Sequence, residues 1–403
     1  MKYLILASIV SFSFLSYGQY NFKENYFQDN KQFTNSTNYV EFLGNYFVNS
    51  SSINNQLTNS IVLSKFIGES LKDANLKKLA NKNTIGLGLG GTLHYKKAYK
   101  NFNLTSSVGT HIISNNTFSK DFYSILFYGN EPYKGKSLSF KNTALFAQAY
   151  NKLSLGAEKM IKDKYFIGAT ANIYQSLFYY NGKISKGDFK TSSTGEELTL
   201  DLKSKQYVSD PKNKGLGAGI DLYFMTKFKK GNVYMHLEDL GFVQHKNLGF
   251  YDIDSNFVFK GFEIKNIFEL ENQVIGSDSQ KTHEIFGIEK KTVNKLQWLP
   301  TRITFGFHEQ LNKNILLEGA INYRWIPGYI PQVILRSNFF ISSYFSIAPV
   351  LNLGGFGKSD IGLNVSFHHK KLLINCDFME LEHILAKNKT AGRGIFLRTG
   401  VLL

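Results

Sequence analysis

The residues of this chain that are able to do chemistry are spaced in ways that keep most of them apart. Gly86-Leu87-Gly88-Leu89-Gly90-Gly91 has the glycine content of a phosphate-cradling loop. Such a loop must follow a strand and open a helix. These glycines instead alternate with apolar residues inside a strand pattern, where small inward positions leave room for a plug or a neighbouring backbone. His236, Asp239 and His245 are metal-ligand types, but their spacing fits no compact metal site. His368 and His369 are adjacent on a strand pattern and so point to opposite faces. Glu380, Glu382 and His383 form an acidic cluster suited to a loop or rim. There is no Gly-x-Ser-x-Gly elbow and no His-Glu-x-x-His pair. Carboxylate pairs mean nothing alone among 31 acidic residues. The single Cys376 forms no internal disulfide. The sequence is therefore read as that of a non-enzyme, with no catalytic, cofactor or metal site.

The informative charges lie elsewhere, inside alternating segments. In 314–325, Ile315, Leu317, Ile321, Tyr323 and Trp325 share one face, while Glu318, Asn322 and Arg324 share the other. In 331–341, Val333, Leu335, Phe339 and Ile341 oppose Gln332, Arg336 and Asn338. A charge facing lipid at the bilayer midplane costs about 2–4 kcal/mol. Asp221, Arg302, Glu318, Arg324, Arg336 and Arg398 are therefore the candidate lumen-facing charges. Buried charges of this kind pair with one another, so a lumenal salt-bridge network is the first expectation and a substrate-guiding arginine ladder the second.

Positioning such charges requires strands with one apolar and one wet face, and period-two alternation recurs along most of the 403 residues. Candidate spans are 84–96, 102–113, 121–129, 143–151, 153–160, 164–176, 215–228, 231–238, 301–310, 314–325, 331–341, 344–353, 359–369, 371–379 and 394–403. Closed barrels remove every edge, as lipid demands, and usually hold an even number of strands. The fold class is thus all-β, a transmembrane antiparallel barrel of about 14 strands, with a range of about 12–16. Polar excursions at 181–214 and 239–300 are expected to be long extracellular loops. Residues 19–83 are read as an N-terminal segment holding a plug, a first strand and, over Glu69 to Asn81, a short amphipathic helix. Residues 84–403 form the barrel proper.

Composition supports this. Phe and Tyr number 35 and 23 against 2 Trp, Gly numbers 34 and Pro only 6. Mean hydropathy is −0.21, because half of each strand faces water. Residues 1–18 carry a positive start, an apolar core over Leu4 to Leu15 and small residues at Ser16 and Gly18, the pattern of a cleaved signal peptide. No stretch is long and apolar enough for a spanning helix. The net charge of +16 is dispersed in loop lysines, which points to outer-membrane lipid and lipopolysaccharide as partners rather than nucleic acid. The final segment, Gly394 to Leu403, alternates to its last residue, as barrel C-termini do.

Leu237-Glu238-Asp239-Leu240-Gly241-Phe242 is followed by Phe259-x-Gly261 and by Leu299-Pro300-Thr301 ahead of Arg302-Ile303-Thr304-Phe305-Gly306. This order resembles an uncharacterised family of Bacteroidota outer-membrane barrels, similar to the long-chain fatty-acid transporter superfamily that includes the PorV-type component of type IX secretion. Gln244 and His245 depart from the resemblance, standing where relatives often carry Trp. The resemblance implies fold and location and transfers no functional residue. Two functions follow as expectations: a passage or uptake channel for small, hydrophobic molecules, or a scaffold that works with secretion-system or surface proteins.

Overall fold

The computed structural model describes residues 38–210, 212–228, 230–260, 288–381 and 390–403. The signal segment and residues 19–37 of the expected N-terminal segment lie outside the described residues; within the rest of that segment, residues 39–50 are a wall strand and 55–62 a helix. In chain order, β1 (Tyr39–Ser50) leads through helices α1 (Asn55–Val62) and α2 (Glu69–Leu76) to β2 (Asn83–Ala98) and β3 (Asn103–Phe118). Helix α3 (Lys120–Tyr128) and the short β4 (Ser137–Ser139) precede β5 (Ala144–Ile161), β6 (Tyr165–Thr191), β7 (Glu197–Val208), β8 (Leu216–Phe228) and β9 (Gly231–Lys260). Then come β10 (Ile288–Trp298), β11 (Arg302–Asn312), β12 (Ile315–Arg324), β13 (Ile330–Phe340), β14 (Phe345–Gly355), β15 (Ser359–His369), β16 (Leu372–Met379) and β17 (Gly392–Leu402).

Setting aside β4, β7 and β10, these strands form a closed antiparallel barrel of 14. The ring is sealed by β17 against β1, in register from Tyr39↔Leu402 to Asn49↔Gly392, and β1 meets β2 at Ser50↔Ile85. Closure leaves no sheet edge for lipid to solvate. One end carries short turns. At the β5–β6 turn Lys162 and Asp163 both hold φ near +50°, the geometry whose twist matches antiparallel hairpins. The other end carries the helices and the longer connections.

Burial follows the alternation. On β11, Ile303, Phe305 and Phe307 are exposed, whereas Arg302, Thr304 and His308 are buried. On β14, Leu351 and Leu353 are exposed, and Ser346, Ala348, Val350 and Asn352 are buried. An apolar outside with a polar inside is the surface a barrel offers to acyl chains. Aromatic side chains gather at both rims, where amphipathic rings settle at the headgroup level. Tyr99 stacks on Phe102 at one short turn, Tyr165 on Phe224 at another, and Trp298 meets Phe242 edge-on at the loop end.

Several expectations need correction. Residues 121–129 are helix α3, capped by the Ser119 hydroxyl accepting from the Phe122 N–H at 3.0 Å; a short apolar run does not distinguish strand from helix. Spans 143–151 and 153–160 are one strand, β5. The described parts of the polar excursions 181–214 and 239–300 are largely strand as well. The far part of β6 pairs with β7 from Tyr180↔Val208 to Thr191↔Leu198. β7 pairs with the far part of β9, and β9 with β10. This sheet stands beyond the apolar belt, and one of its faces is packed: Phe189, Leu198, Leu200 and Phe259 meet Ile125, Leu138 and Phe140 around α3 and β4.

Candidate functional site

The site is built around an irregularity in β9. Ile220 pairs with Leu240 and Leu222 with Leu237, so Asp221 alone faces both Glu238 and Asp239. One extra residue on one strand is a β-bulge. Asp239 takes it up with φ +56°, a left-handed conformation that Asp tolerates better than most side chains. Its N–H donates to Asp221 Oδ1 at 2.8 Å. Neighbours on a regular strand point to opposite faces. Here the bulge turns both Glu238 and Asp239 into the lumen, where each is buried.

Asp239 accepts from Tyr150 Oη and Tyr174 Oη at 3.0 Å each and from Lys152 Nζ at 2.7 Å. Lys152 also donates to Asp221 at 2.8 Å, which accepts from Asn172 Nδ2 at 2.8 Å. One ammonium thus serves two buried carboxylates, and hydroxyl and amide donors satisfy the remaining lone pairs. Buried ions persist only when saturated in this way. Beside this group Glu238 pairs with Arg302, and His236 Nε2 lies 3.6 Å from Glu238. Arg302 stands directly opposite Arg324 across the β11–β12 ladder. Arg324 is half-buried, and no described carboxylate forms an ion pair with it.

The other lumenal charges form separate groups. Arg336 pairs with Glu318 and lies 3.6 Å from Asp377, and Asn338 Nδ2 donates to Glu318 at 3.0 Å. Arg398 Nε donates to Glu41 at 2.9 Å, with His94 3.5 Å away. Lys96 pairs with Glu158 at 3.0 Å. Of the six charges singled out from sequence, Asp221, Arg302 and Arg324 border one cavity, whereas Glu318, Arg336 and Arg398 sit in their own pairs elsewhere in the wall.

That cavity has a volume of about 150 Å³. Its walls carry the Lys152–Asp221–Asp239 group, the Arg302–Glu238 pair, the Lys96–Glu158 pair, His111 and Arg324. Its roof is made by two short connections that cross the mouth. Residues 325–329, leaving β12, reach β3, where Asn115 Nδ2 donates to the Pro327 carbonyl. Residues 356–358, leaving β14, reach β2, where Thr84 Oγ1 donates to the Phe356 carbonyl at 2.8 Å. Tyr329 and Phe356 rings meet edge-on at 4.9 Å, and Phe47 stacks on Phe356 at 5.8 Å. The glycine run of β2 makes this roof fit. A Cβ on Gly86 would lie 2.2 Å from the Phe356 ring, and one on Gly88 would lie 2.2 Å from Phe47.

Sequence reasoning missed Lys152, Glu238 and Asp239 as lumenal partners. Two adjacent acids inside an apolar alternation were the available signal of a bulge. His245 stacks on Tyr179 at 4.6 Å, away from the His236–Glu238 pair. Among the described residues no group of three or more His, Cys, Asp or Glu is placed to hold a metal ion. Glu382 and His383 lie outside the described residues.

Fold and interior together define a closed 14-stranded barrel with an apolar exterior and an ion-paired lumen. The chain belongs to the family of unknown function DUF5723, whose model matches residues 27–374. No curated protein matches it. Among solved structures it is similar to a deletion mutant of the TodX monoaromatic hydrocarbon channel, at 8% identity and a TM-score of 0.49, covering 96% of this chain and 95% of that one. It is also similar to the Pseudomonas putida toluene transporter TodX, at 8% identity and a TM-score of 0.46, covering 96% and 94%. A third is a Pseudomonas aeruginosa FadL homologue, at 8% identity and a TM-score of 0.43, covering 91% and 90%.

Proposed function

We propose that this chain is an outer-membrane barrel through which small molecules pass by way of the lumen cavity. The observation that carries this reading is the roofed cavity itself. A barrel that only filled space would have no reason to hold about 150 Å³ open beneath two short crossing connections. The aromatic roof of Phe47, Tyr329 and Phe356 supports a cargo with an apolar body, while the ion-paired walls keep the floor wet. The loop end faces the cell exterior and the short turns the periplasm, in keeping with barrels of this type. The dispersed lysines meet lipopolysaccharide and anionic headgroups.

The test is solute entry into liposomes carrying the purified full chain. Phe356→Ala removes the ring shared by both halves of the roof and is expected to speed entry of small solutes relative to the parent. If neither protein admits any solute, the passage reading falls. A second reading, a surface adaptor that engages secretion or surface proteins, is favoured by one feature. The sheet of β6, β7, β9 and β10 projects beyond the apolar belt and offers strand surface that the barrel wall does not need. Stable co-purifying partners together with impermeable liposomes would favour it.

A further inference from the structure

We propose that the lumen cavity binds a compact organic carboxylate, received by the guanidinium of Arg324. This deepens the passage reading above and rests on it.

Among the described residues the cavity wall carries four cations and four carboxylates, and three of the cations hold all four carboxylates in ion pairs. Lys96 has Glu158 at 3.0 Å. Lys152 has Asp221 and Asp239 at 2.8 and 2.7 Å. Arg302 has Glu238. Arg324 borders the same cavity, yet among the described residues it has no carboxylate. It is also placed where its charge is least welcome, directly opposite Arg302. Like charges in that relationship destabilise a ladder, and a half-buried cation without a partner is disfavoured by desolvation. An anion in the cavity removes both penalties.

Chemistry then narrows the class. A guanidinium offers a planar fork that matches a carboxylate with two parallel hydrogen bonds. The cavity, about 150 Å³, is of the size that accepts a benzene-sized body. Tyr329, Phe47 and Phe356 supply aromatic surface on its roof. A ligand with one carboxylate and a compact apolar body meets both ends of the site. A neutral hydrocarbon fills the volume and leaves Arg324 uncompensated. An ammonium-bearing analogue adds a third positive charge beside Arg302 and Arg324.

The experiment is calorimetric titration of the full chain in detergent micelles with three probes of similar shape: sodium benzoate, toluene and benzylamine. Benzoate is expected to bind tighter than either of the others by about tenfold or more, the scale of a charge-assisted hydrogen bond. Arg324→Gln is expected to erase that preference. Arg324→Lys, which keeps the charge without the fork, is expected to retain part of it, and it carries the test should the glutamine variant fail to fold. Equal binding of benzoate and toluene by the parent, or benzoate binding undiminished in Arg324→Gln, overturns the anion site and leaves the passage reading standing. If no probe binds and the liposomes stay sealed, both fall together.

Discussion

Arg302 and Arg324 face each other directly across the β11–β12 ladder, and Glu238 offers its carboxylate to Arg302. Glu238 is therefore the counter-ion that makes the pair tolerable. It reaches Arg302 from β9, to which β11 is registered at Arg302↔Glu238. Removing it strands a buried guanidinium beside a second one. Breaking a buried pair by deleting one partner costs about 3–5 kcal/mol. Glu238→Gln is expected to lose stability of that order in denaturant unfolding from micelles. Arg324→Gln relieves repulsion and is expected to be neutral or stabilising. A Glu238→Gln barrel as stable as the parent would show that the pair carries no such burden.

The bulge at Asp239 allows backbone and charge to be separated. Asn tolerates the left-handed conformation that Asp239 adopts, so Asp239→Asn keeps the turn of the chain and removes only the charge. Lys152 then still has Asp221 at 2.8 Å. Asp239→Ala loses the charge, orphans the Tyr150 and Tyr174 hydroxyls, and places a Cβ without polar compensation at φ +56°. The expected order of unfolding midpoints is parent, then Asn, then Ala, with Ala lower than Asn by about 1–3 kcal/mol. Indistinguishable Asn and Ala variants would mean that Lys152 alone organises this group.

The same residues show what the sequence could disclose. Period-two alternation located the wall from β11 to β17 because each of those strands has one face in lipid and one in a polar lumen. It split β5 at Lys152, since a lysine amid apolar residues resembles a turn; the lysine in fact points inward to Asp221 and Asp239. The far halves of β6 and β9 read as loops because their apolar residues are sparse among Gly, Ser, Asp and Lys; Ile184, Phe189 and Phe259 nonetheless pack against the residues of α3 and β4. The charged faces were legible residue by residue. Which charge meets which was not, since pairing depends on register between strands far apart in sequence and on a bulge visible only as two adjacent acids. The roof was equally hidden: residues 325–329 and 356–358 make contact with β2 and β3 more than two hundred positions away.

Outside the wall, α2 and α3 are joined by two phenols. Tyr123 donates to the Lys72 carbonyl at 3.1 Å, and Tyr128 donates to Asp73. Burial, and then the Asp73 carboxylate, hold both phenols above their ordinary value. A folded pKa above the unfolded one, about 10 for Tyr, gives stabilisation that is complete below the unfolded value and is lost as pH rises through the folded one. The α2–α3 contact is expected to hold at neutral pH and to loosen only in strong alkali. A spin label at Lys77→Cys, in a Cys376→Ser background, reports this as a rise in mobility above about pH 10. Tyr128→Phe should flatten much of that rise. A transition near neutral pH in the parent would contradict it.

The exterior offers the most direct check that the barrel lies in lipid. Leu351 sits near the middle of β14, exposed, with Leu335 on β13 and Ile361 on β15 beside it in register. Phe345 begins the same strand at the short-turn rim and is exposed to a similar degree. In water the two positions would tolerate lysine alike, because both side chains already lie outside the packed interior. In a bilayer they differ by depth. A lysine at the midplane costs about 2–4 kcal/mol, and one near the interface about 0–1 kcal/mol. Leu351→Lys is therefore expected to weaken folding into phosphatidylcholine vesicles by a few kcal/mol more than Phe345→Lys. If both variants fold into vesicles with the same stability, the apolar belt is not facing acyl chains and the membrane assignment fails.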